Sequence, residues 1–366
     1  MSIELLLMAI GFMVASYSIV ANDAIQTLGT FLASNRTRPW WVLWLYAVGI
    51  LYVVLIYGWV ANGGDTSYGR LDRIPLPQPF TWIYLVPPLV LLLLTRRGIP
   101  VSTTFLILTL FAPESLGDMM VKSLLGYAVA FLFAIALYFL IAETYERHFL
   151  DTVEDEPASH WVALQWLSTG FLWMQWLIQD LANIFVYLPR RLDLGWLVFG
   201  LVVMAGLHAW TFYSQGGEIQ RVVTSKTNTG DIRSATIVDF AFGMVLLVFK
   251  EWSHIPMSTT WVFLGLLAGR EIAMSARLRS RPMPETLRLV RSDGVRIAAG
   301  LAVSVLLAIA LPRLSALITP ADQTPRLSST SDVHAATRLS PTSRAEHQRA
   351  AFVGIDAQQG RVDRRP

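Results

Sequence analysis

Long apolar stretches separated by short polar stretches dominate the chain up to residue 311. There are ten of them, five in each half. Those of the first half span about 3–34, 40–61, 80–95, 100–112 and 119–142, and those of the second about 161–189, 194–213, 234–250, 256–273 and 294–311. Several reach the roughly 20 residues that a helix needs to cross a bilayer. The pattern predicts an all-α polytopic membrane protein.

The same pattern predicts four parts of the chain. We expect a first transmembrane repeat over 1–142, an acidic connector over 143–160, a second repeat over 161–311 and a tail over 312–366. Because five crossings are an odd number, the two repeats would be inverted relative to each other. The tail is rich in Ser, Thr, Arg and Gln with few large apolar residues, so it is predicted to be disordered.

Composition agrees with a lipid-facing surface and narrows the possible functions. Hydrophobic residues make up 54% of the chain and charged residues 15%, against about 25% charged in a typical soluble domain. The absence of cysteine excludes disulfides, a thiol nucleophile and Cys-ligated metals. A net charge of +3 is too small to indicate a nucleic-acid partner.

The distribution of Lys and Arg predicts an orientation. With the N-terminus outside, the inner loops would hold 15 basic residues and the outer loops six. Because basic residues are enriched in cytoplasmic loops, both ends of the ten-segment bundle are predicted to lie outside.

A pair of polar motifs occurs twice. Each half carries an acidic residue flanked by side-chain amides, at residues 22–26 and 179–183, and later a Pro followed by three hydroxyls, at 100–104 and 256–260. Ser102 lies 79 residues beyond Asp23, and Ser258 lies 78 residues beyond Asp180. Duplicated polar groups inside apolar segments are typical of secondary transporters.

The hydroxyl motifs open segments 100–112 and 256–273. Pro and Ser or Thr favour the start of a helix, so both segments are predicted to be half-helices or re-entrant hairpins that begin within the membrane. Such a helix start offers unpaired N–H groups and a partial positive charge to an anion. The candidate substrate-binding hydroxyls are Ser102, Thr103, Thr104, Ser258, Thr259 and Thr260. Helix capping and packing are the alternative roles.

Asp23 and Asp180 are candidates for both substrate and cation binding. A carboxylate within a spanning segment is costly unless it is paired, and therefore suggests function. Carboxylate and amide oxygens are hard ligands that suit Na⁺, and a protonated Asp would carry H⁺ instead. The alternative is a helix end near water. The candidate cation-binding residues are Asn22, Asp23, Gln26, Gln179, Asp180 and Asn183.

Asp239 is a third acidic residue in an apolar segment. It has no counterpart in the first half, so we expect it to serve helix packing or to line a cavity rather than to take part in coupling. No His, Asp or Glu cluster has zinc-site spacing, and no nucleotide-binding or hydrolase motif occurs in the sequence.

The four motifs resemble those of the inorganic phosphate transporter (PiT) family, whose halves each carry an Ala-Asn-Asp-Val-Ala-Asn-like segment and a Pro-Val-Ser-Thr-Thr-like hairpin. Gln26 and Gln179 stand where that family has Asn, and Phe105 and Trp261 stand at the hairpin His. The resemblance implies inverted halves that bind phosphate between the hairpins and the acidic motifs. It assigns the substrate role to the six hydroxyls with Asp23 and Asp180.

The resulting hypothesis is a symporter that imports inorganic phosphate with Na⁺ or H⁺, multi-pass in a bacterial inner membrane and surrounded by lipid. We expect no cofactor, no nucleic-acid partner and no enzyme activity, with Na⁺ the metal ion that the six cation-binding residues would suit. The resemblance also implies a homodimer. The alternatives are a transporter of another oxyanion such as sulfate, a transport-inactive sensor, and a membrane enzyme that acts on a phosphorylated lipid.

Overall fold

The computed structural model describes residues 2–97, 101–152, 157–216, 231–252, 254–279 and 281–318, and these are helical or irregular, without a strand. The chain divides into two units, Met1–Ser315 and Ala316–Pro366. Pro100 of the first hairpin motif, the connector residues 153–156 and the tail beyond 318 lie outside the described residues.

Five helices form the first half. They are α1 (Ile3–Ile19), α2 (Ile25–Ser34), α3 (Trp40–Ala61), α4 (Val86–Arg96) and α5 (Leu116–Ile141). A π-helical turn, Val20–Ala24, joins α1 to α2 without a break. A second π-helical turn, Thr104–Leu108, continues into Thr109–Phe111 and forms the short helix of the first hairpin.

Five helices also form the second half. They are α6 (Ser159–Phe185), α7 (Leu194–Tyr213), α8 (Ile232–Trp252), α9 (Thr259–Leu278) and α10 (Met283–Ile318). Each of the ten predicted apolar segments therefore corresponds to helical structure.

The structure differs from the sequence prediction in several boundaries, among them the start of α10, which lies at Met283 instead of about 294. The connector is helical as far as Asp151, because Ala142–Glu146 and Arg147–Asp151 prolong α5. The last helix continues through Pro312 to Ile318 instead of ending at Leu311. A proline near a helix end removes one hydrogen bond and is tolerated within membranes. Finally, α9 has 20 residues and is roughly 30 Å long, so it is not a half-helix by length.

Buried charges explain why α9 extends beyond its apolar part. Arg270 lies 3.5 Å from Glu146 at the prolonged end of α5, and it also pairs with Glu271 at 3.0 Å. The Ser234 hydroxyl donates to Glu146 at 2.8 Å. This network connects α5, α8 and α9 at one end of the bundle, where a purely apolar pattern would have predicted the end of a segment.

The exterior of the bundle is apolar. Among the described residues, six helices are long and apolar enough to cross a bilayer. Large side chains such as Val53, Leu132 and Val202 are each more than 60% exposed, at 69%, 63% and 63%. Because water would disfavour so much exposed apolar surface, these faces are suited to lipid, and the chain is a multi-pass membrane protein.

Helices at matching positions in the two halves pack in matching ways. Helices α1 and α4 of the first half contact each other, and so do their counterparts in the second half, α6 and α8. Helix α3 contacts its own counterpart, α7. Likewise α3 contacts α6, as α7 contacts α1. A chain that contains two copies of one half is expected to show such matching contacts. The inverted orientation of the halves stays a prediction.

Two glycines let α9 approach α5 closely. A Cβ on Gly265 would lie 2.5 Å from the Tyr127 carbonyl oxygen, and one on Gly269 would overlap the Phe131 carbonyl oxygen. Small residues four positions apart are a common feature of closely packed membrane helices. The α5–α9 contact holds the helix that the second hairpin motif begins.

We predict that Gly265→Ala destabilises the protein by about 1–3 kcal/mol, because the added methyl group meets backbone atoms that cannot move without separating the helices. Thermal unfolding in detergent measures the effect. Gly206→Ala on α7 is the matched control, since a Cβ there has nothing within 4 Å. Equal melting temperatures for both variants would contradict the close packing.

Candidate functional site

A π-helical turn positions the first acidic motif. Asn22 and Asp23 lie within Val20–Ala24 and are 0% and 1% exposed. The Thr27 hydroxyl donates to the Asp23 backbone carbonyl at 3.1 Å and so helps to satisfy the altered hydrogen-bond ladder. π-Helical turns are rare and often mark functional sites, because they widen the helix and turn a side chain aside.

Serine side chains cap the helices of both hairpins. The Phe105 N–H donates to the Ser102 hydroxyl at 3.3 Å, and the Trp261 N–H donates to the Ser258 hydroxyl at 3.2 Å. The Ser258 N–H itself donates to Ser123 on α5 at 2.8 Å. Both serines are buried and perform the capping role that the sequence offered as an alternative to substrate binding.

The Asp23 carboxylate accepts hydrogen bonds from both halves of the chain. Thr103 donates to one oxygen at 2.6 Å, and Thr260 of the second half donates to the other at 3.2 Å. Asn22 donates at 2.8 Å and Gln26 at 3.5 Å to that second oxygen. Asp23 therefore brings together one acidic motif and both hydroxyl motifs.

The two hairpin turns bind each other reciprocally. Thr104 donates to the Met257 carbonyl at 3.0 Å. At the matching position, the Thr260 hydroxyl, whose proton is donated to Asp23, lies 3.5 Å from the Val101 carbonyl oxygen. The next residues, Phe105 and Trp261, pack with ring centroids 5.0 Å apart. Each contact is matched by its exchanged counterpart, as expected if a pseudo-two-fold axis passes between the turns.

The Asp180 carboxylate has fewer hydrogen-bond donors than Asp23. Asn183 donates to one oxygen at 2.7 Å, and Thr259 lies close to the carboxylate. The same Asn183 amide lies 3.2 Å from the Thr103 hydroxyl and 3.3 Å from that of Thr104. Asn183 thus joins the second acidic motif to the first hairpin turn.

Three buried oxygen atoms of the acidic motifs have no hydrogen-bond partner. They are Asn22 Oδ1, Asp180 Oδ2 and Asn183 Oδ1. A buried acceptor without a partner costs about 1–3 kcal/mol. None of the ion pairs between described residues includes Asp23 or Asp180. Oxygens of this kind can accept a proton or coordinate a hard cation.

Gln179 alone among the predicted site residues bonds away from the site. Its side-chain amide donates to the Leu246 carbonyl on α8 at 2.7 Å. Its counterpart Asn22 instead donates to Asp23 and to the Val101 carbonyl. The longer Gln side chain reaches a neighbouring helix that an Asn would not reach, so the two acidic motifs are not equivalent.

Asp239 belongs to a separate cluster. It accepts hydrogen bonds from Thr30 on α2, at 2.6 Å, and from Thr169 on α6. All three side chains are buried. These bonds connect α2, α6 and α8, in agreement with the packing role predicted from the sequence.

Backbone and loop groups of the site were missed by sequence reasoning. The Val101 carbonyl accepts from Asn22 and the Met257 carbonyl accepts from Thr104, and a carbonyl leaves no mark in a sequence. Arg70 lies in the loop between α3 and α4 but is buried and close enough to Asp180 for their charges to attract. Its position between two apolar segments indicated only a loop residue.

No family model and no curated protein matches the sequence. A solved structure described as "The sodium-dependent phosphate transporter" is similar to this chain, with a TM-score of 0.60 at 15% sequence identity. The match covers 87% of this chain and 100% of that one. An identity this low establishes the fold and nothing finer. The chain thus has the fold of that transporter, and the resemblance that the four motifs predicted is confirmed at the level of the fold.

Proposed function

We propose that the protein is a secondary active transporter that imports inorganic phosphate together with Na⁺. The observation that carries the proposal is the meeting of both Ser-Thr-Thr turns at Asp23, with hydrogen bonds from Thr103 and Thr260. A buried cluster of hydroxyls and helix starts from two halves can enclose a small oxyanion without any Lys or Arg. The substrate named in the similar structure supports phosphate.

The acidic side chains favour phosphate over sulfate. Hydrogen phosphate carries a hydroxyl that can donate to a carboxylate, whereas sulfate has no proton at neutral pH and would meet Asp23 and Asp180 as like charges. The hydroxyls of Thr103 and Thr260 both donate to Asp23, and that of Thr104 donates to the Met257 carbonyl; each can turn toward the anion. We therefore assign hydrogen phosphate as the substrate.

The unpartnered oxygens favour Na⁺ over H⁺ as the coupling ion. The Asn183 amide N–H donates to Asp180 Oδ1, and the remaining oxygens of these two bonded side chains, Asn183 Oδ1 and Asp180 Oδ2, are buried without a hydrogen-bond partner. A carboxylate oxygen and an amide oxygen on two bonded side chains match the preference of Na⁺ for hard ligands. A proton would satisfy only the carboxylate and would leave the amide oxygen unpaired.

The net charge carried across the membrane determines how many cations must accompany the anion. Each Na⁺ gains about 2.3 kcal/mol per 100 mV of inside-negative potential and about 1.4 kcal/mol per tenfold gradient. A dianion moves against that potential, so at least two cations are needed to make the transported charge neutral. Asp180 with Asn183 offers one such place, and the unpartnered Asn22 Oδ1 beside Asp23 offers a second. We place the protein in a bacterial inner membrane, where both gradients exist.

The proposal predicts that phosphate uptake into proteoliposomes requires an inward Na⁺ gradient. Uptake of phosphate and of sulfate is measured under separately imposed Na⁺ and pH gradients. We expect phosphate uptake with Na⁺ and little sulfate uptake. Uptake driven by the pH gradient alone would replace Na⁺ with H⁺, and uptake unaffected by removing both gradients would contradict coupling. Binding of phosphate without uptake would indicate a sensor.

We predict that Asp180→Asn raises the Na⁺ concentration for half-maximal uptake by at least roughly tenfold, equivalent to about 1.4 kcal/mol, because a charged ligand oxygen is lost. Uptake at varied Na⁺ and fixed phosphate measures this.

Asp239→Asn is the matched control, since Asp239 is equally buried but bonds to Thr30 and Thr169 instead. An unchanged Na⁺ dependence in Asp180→Asn, or an equal change in both variants, would remove Asp180 from the cation site.

A further inference from the structure

A cavity of about 490 Å³ lies beside the candidate site. Residues 69–74 between α3 and α4, residues 115 and 118 at the start of α5, and residues 254–256 before the second hairpin line it. Pro256 directly precedes the Met257 carbonyl that accepts from Thr104. The cavity therefore reaches the chain segment that forms the second hairpin turn. All three lining segments fall in loops that the Lys and Arg distribution predicts to be outside.

Arg70 is the buried charged side chain among the described residues that line this cavity. It is 3% exposed, and its Nη2 atom has no hydrogen-bond partner. The other charged lining residues, Asp72, Arg73, Asp118 and His254, are exposed. Exposed charges are screened by water and salt, whereas a buried charge acts at close to full strength. The deep end of the cavity is consequently positive, and its rim is mixed.

Two of the acidic groups near Arg70, Asp65 and Glu251, are engaged elsewhere. Asp65 accepts from the Ser67 N–H and hydroxyl and from the Gly69 N–H, at 2.6–2.7 Å. Glu251 is paired with Lys250 at 3.1 Å. Burial lowers the pKa of Arg70 to about 10, with the Asp180, Glu251 and Asp65 charges opposing the shift, so the guanidinium is protonated at neutral pH. A protonated donor with a free N–H in a cavity is suited to an anion.

A second cation strengthens the positive end. Lys122 on α5 donates from its ammonium group to the Ile255 carbonyl at 2.7 Å, and it is close enough to Arg70 for the two charges to repel. Two like charges held together by the fold are relieved by an anion placed between or beside them. An Arg offers two parallel N–H groups to one oxyanion, which Lys does not.

We propose that Arg70 is the capture residue for the oxyanion, binding phosphate in this cavity before the anion reaches the Ser-Thr-Thr turns. The inference rests on the proposed function and adds a separate external subsite to it. Arg70 draws the anion inward from a mixed-charge rim, and Asp180 beyond it admits the anion only together with its cation.

Arg70→Cys tests the proposal, because the chain has no other cysteine to be labelled. In proteoliposomes at saturating Na⁺, we expect its KM for phosphate to rise at least roughly tenfold with a maximal rate within about twofold of the wild type. Attaching an aminoethyl group through a methanethiosulfonate should restore most of the affinity, and attaching a sulfonatoethyl group should not. A purely structural role would not distinguish two labels of similar size and opposite charge.

The matched control is Arg73→Cys, because Arg73 is exposed and lines the same cavity. This variant should change KM by less than about twofold. Should Arg70→Cys fail to fold, Ser115→Cys in the same cavity takes the two labels with Arg70 intact. The negative label should then raise KM and the positive label should not.

Equal KM values with both labels, or an unchanged KM in Arg70→Cys, would overturn the capture role. A wild-type protein that shows no phosphate uptake would refute the proposed function instead, so the two failures are distinguishable.

Discussion

A carboxylate inside a membrane bundle has to be satisfied by neighbouring donors, by a cation or by a proton, and both halves of this protein are arranged around that constraint. Asp23 collects donors from its own motif and from both hairpin turns. Because those donors come from segments far apart in sequence, the carboxylate fixes how the halves meet. The Thr104 bond to the Met257 carbonyl and the packing of Phe105 against Trp261 then hold the two turns together.

The two carboxylates differ in the number of hydrogen bonds that they accept. Asp23 is surrounded by four side-chain donors, while Asp180 keeps one oxygen without a partner next to an equally unpaired Asn183 oxygen. The cause is visible in Gln179, whose extra methylene lets it bond to α8 instead of the site. The Asp23 carboxylate thus has donors on both oxygens, whereas the Asp180 carboxylate, beside the Gln179 that departs from the family pattern, keeps one oxygen open to an ion.

The sequence was sufficient to predict the helices and to predict that the polar motifs come together. It was insufficient to predict the detailed geometry of the site. Apolar runs of membrane length and a duplicated spacing predict ten helical segments and a shared site, because both depend only on burial and repetition. The π-helical turn at Val20–Ala24, the extension of α9 by the Arg270–Glu146 pair and the burial of Arg70 depend on contacts between distant segments. Local sequence carries little information about such contacts.

The reciprocal contact also bears on how such a chain could arise. Thr104 with the Met257 carbonyl and Thr260 with the Val101 carbonyl are one contact made twice, which is what two copies of a single half-length chain would make with each other. Phe105 and Trp261 meet in the same self-complementary manner. Joining two such copies by gene duplication and fusion would need no new interaction at the centre. Residues far from this contact could then change in sequence more freely than the residues that form it.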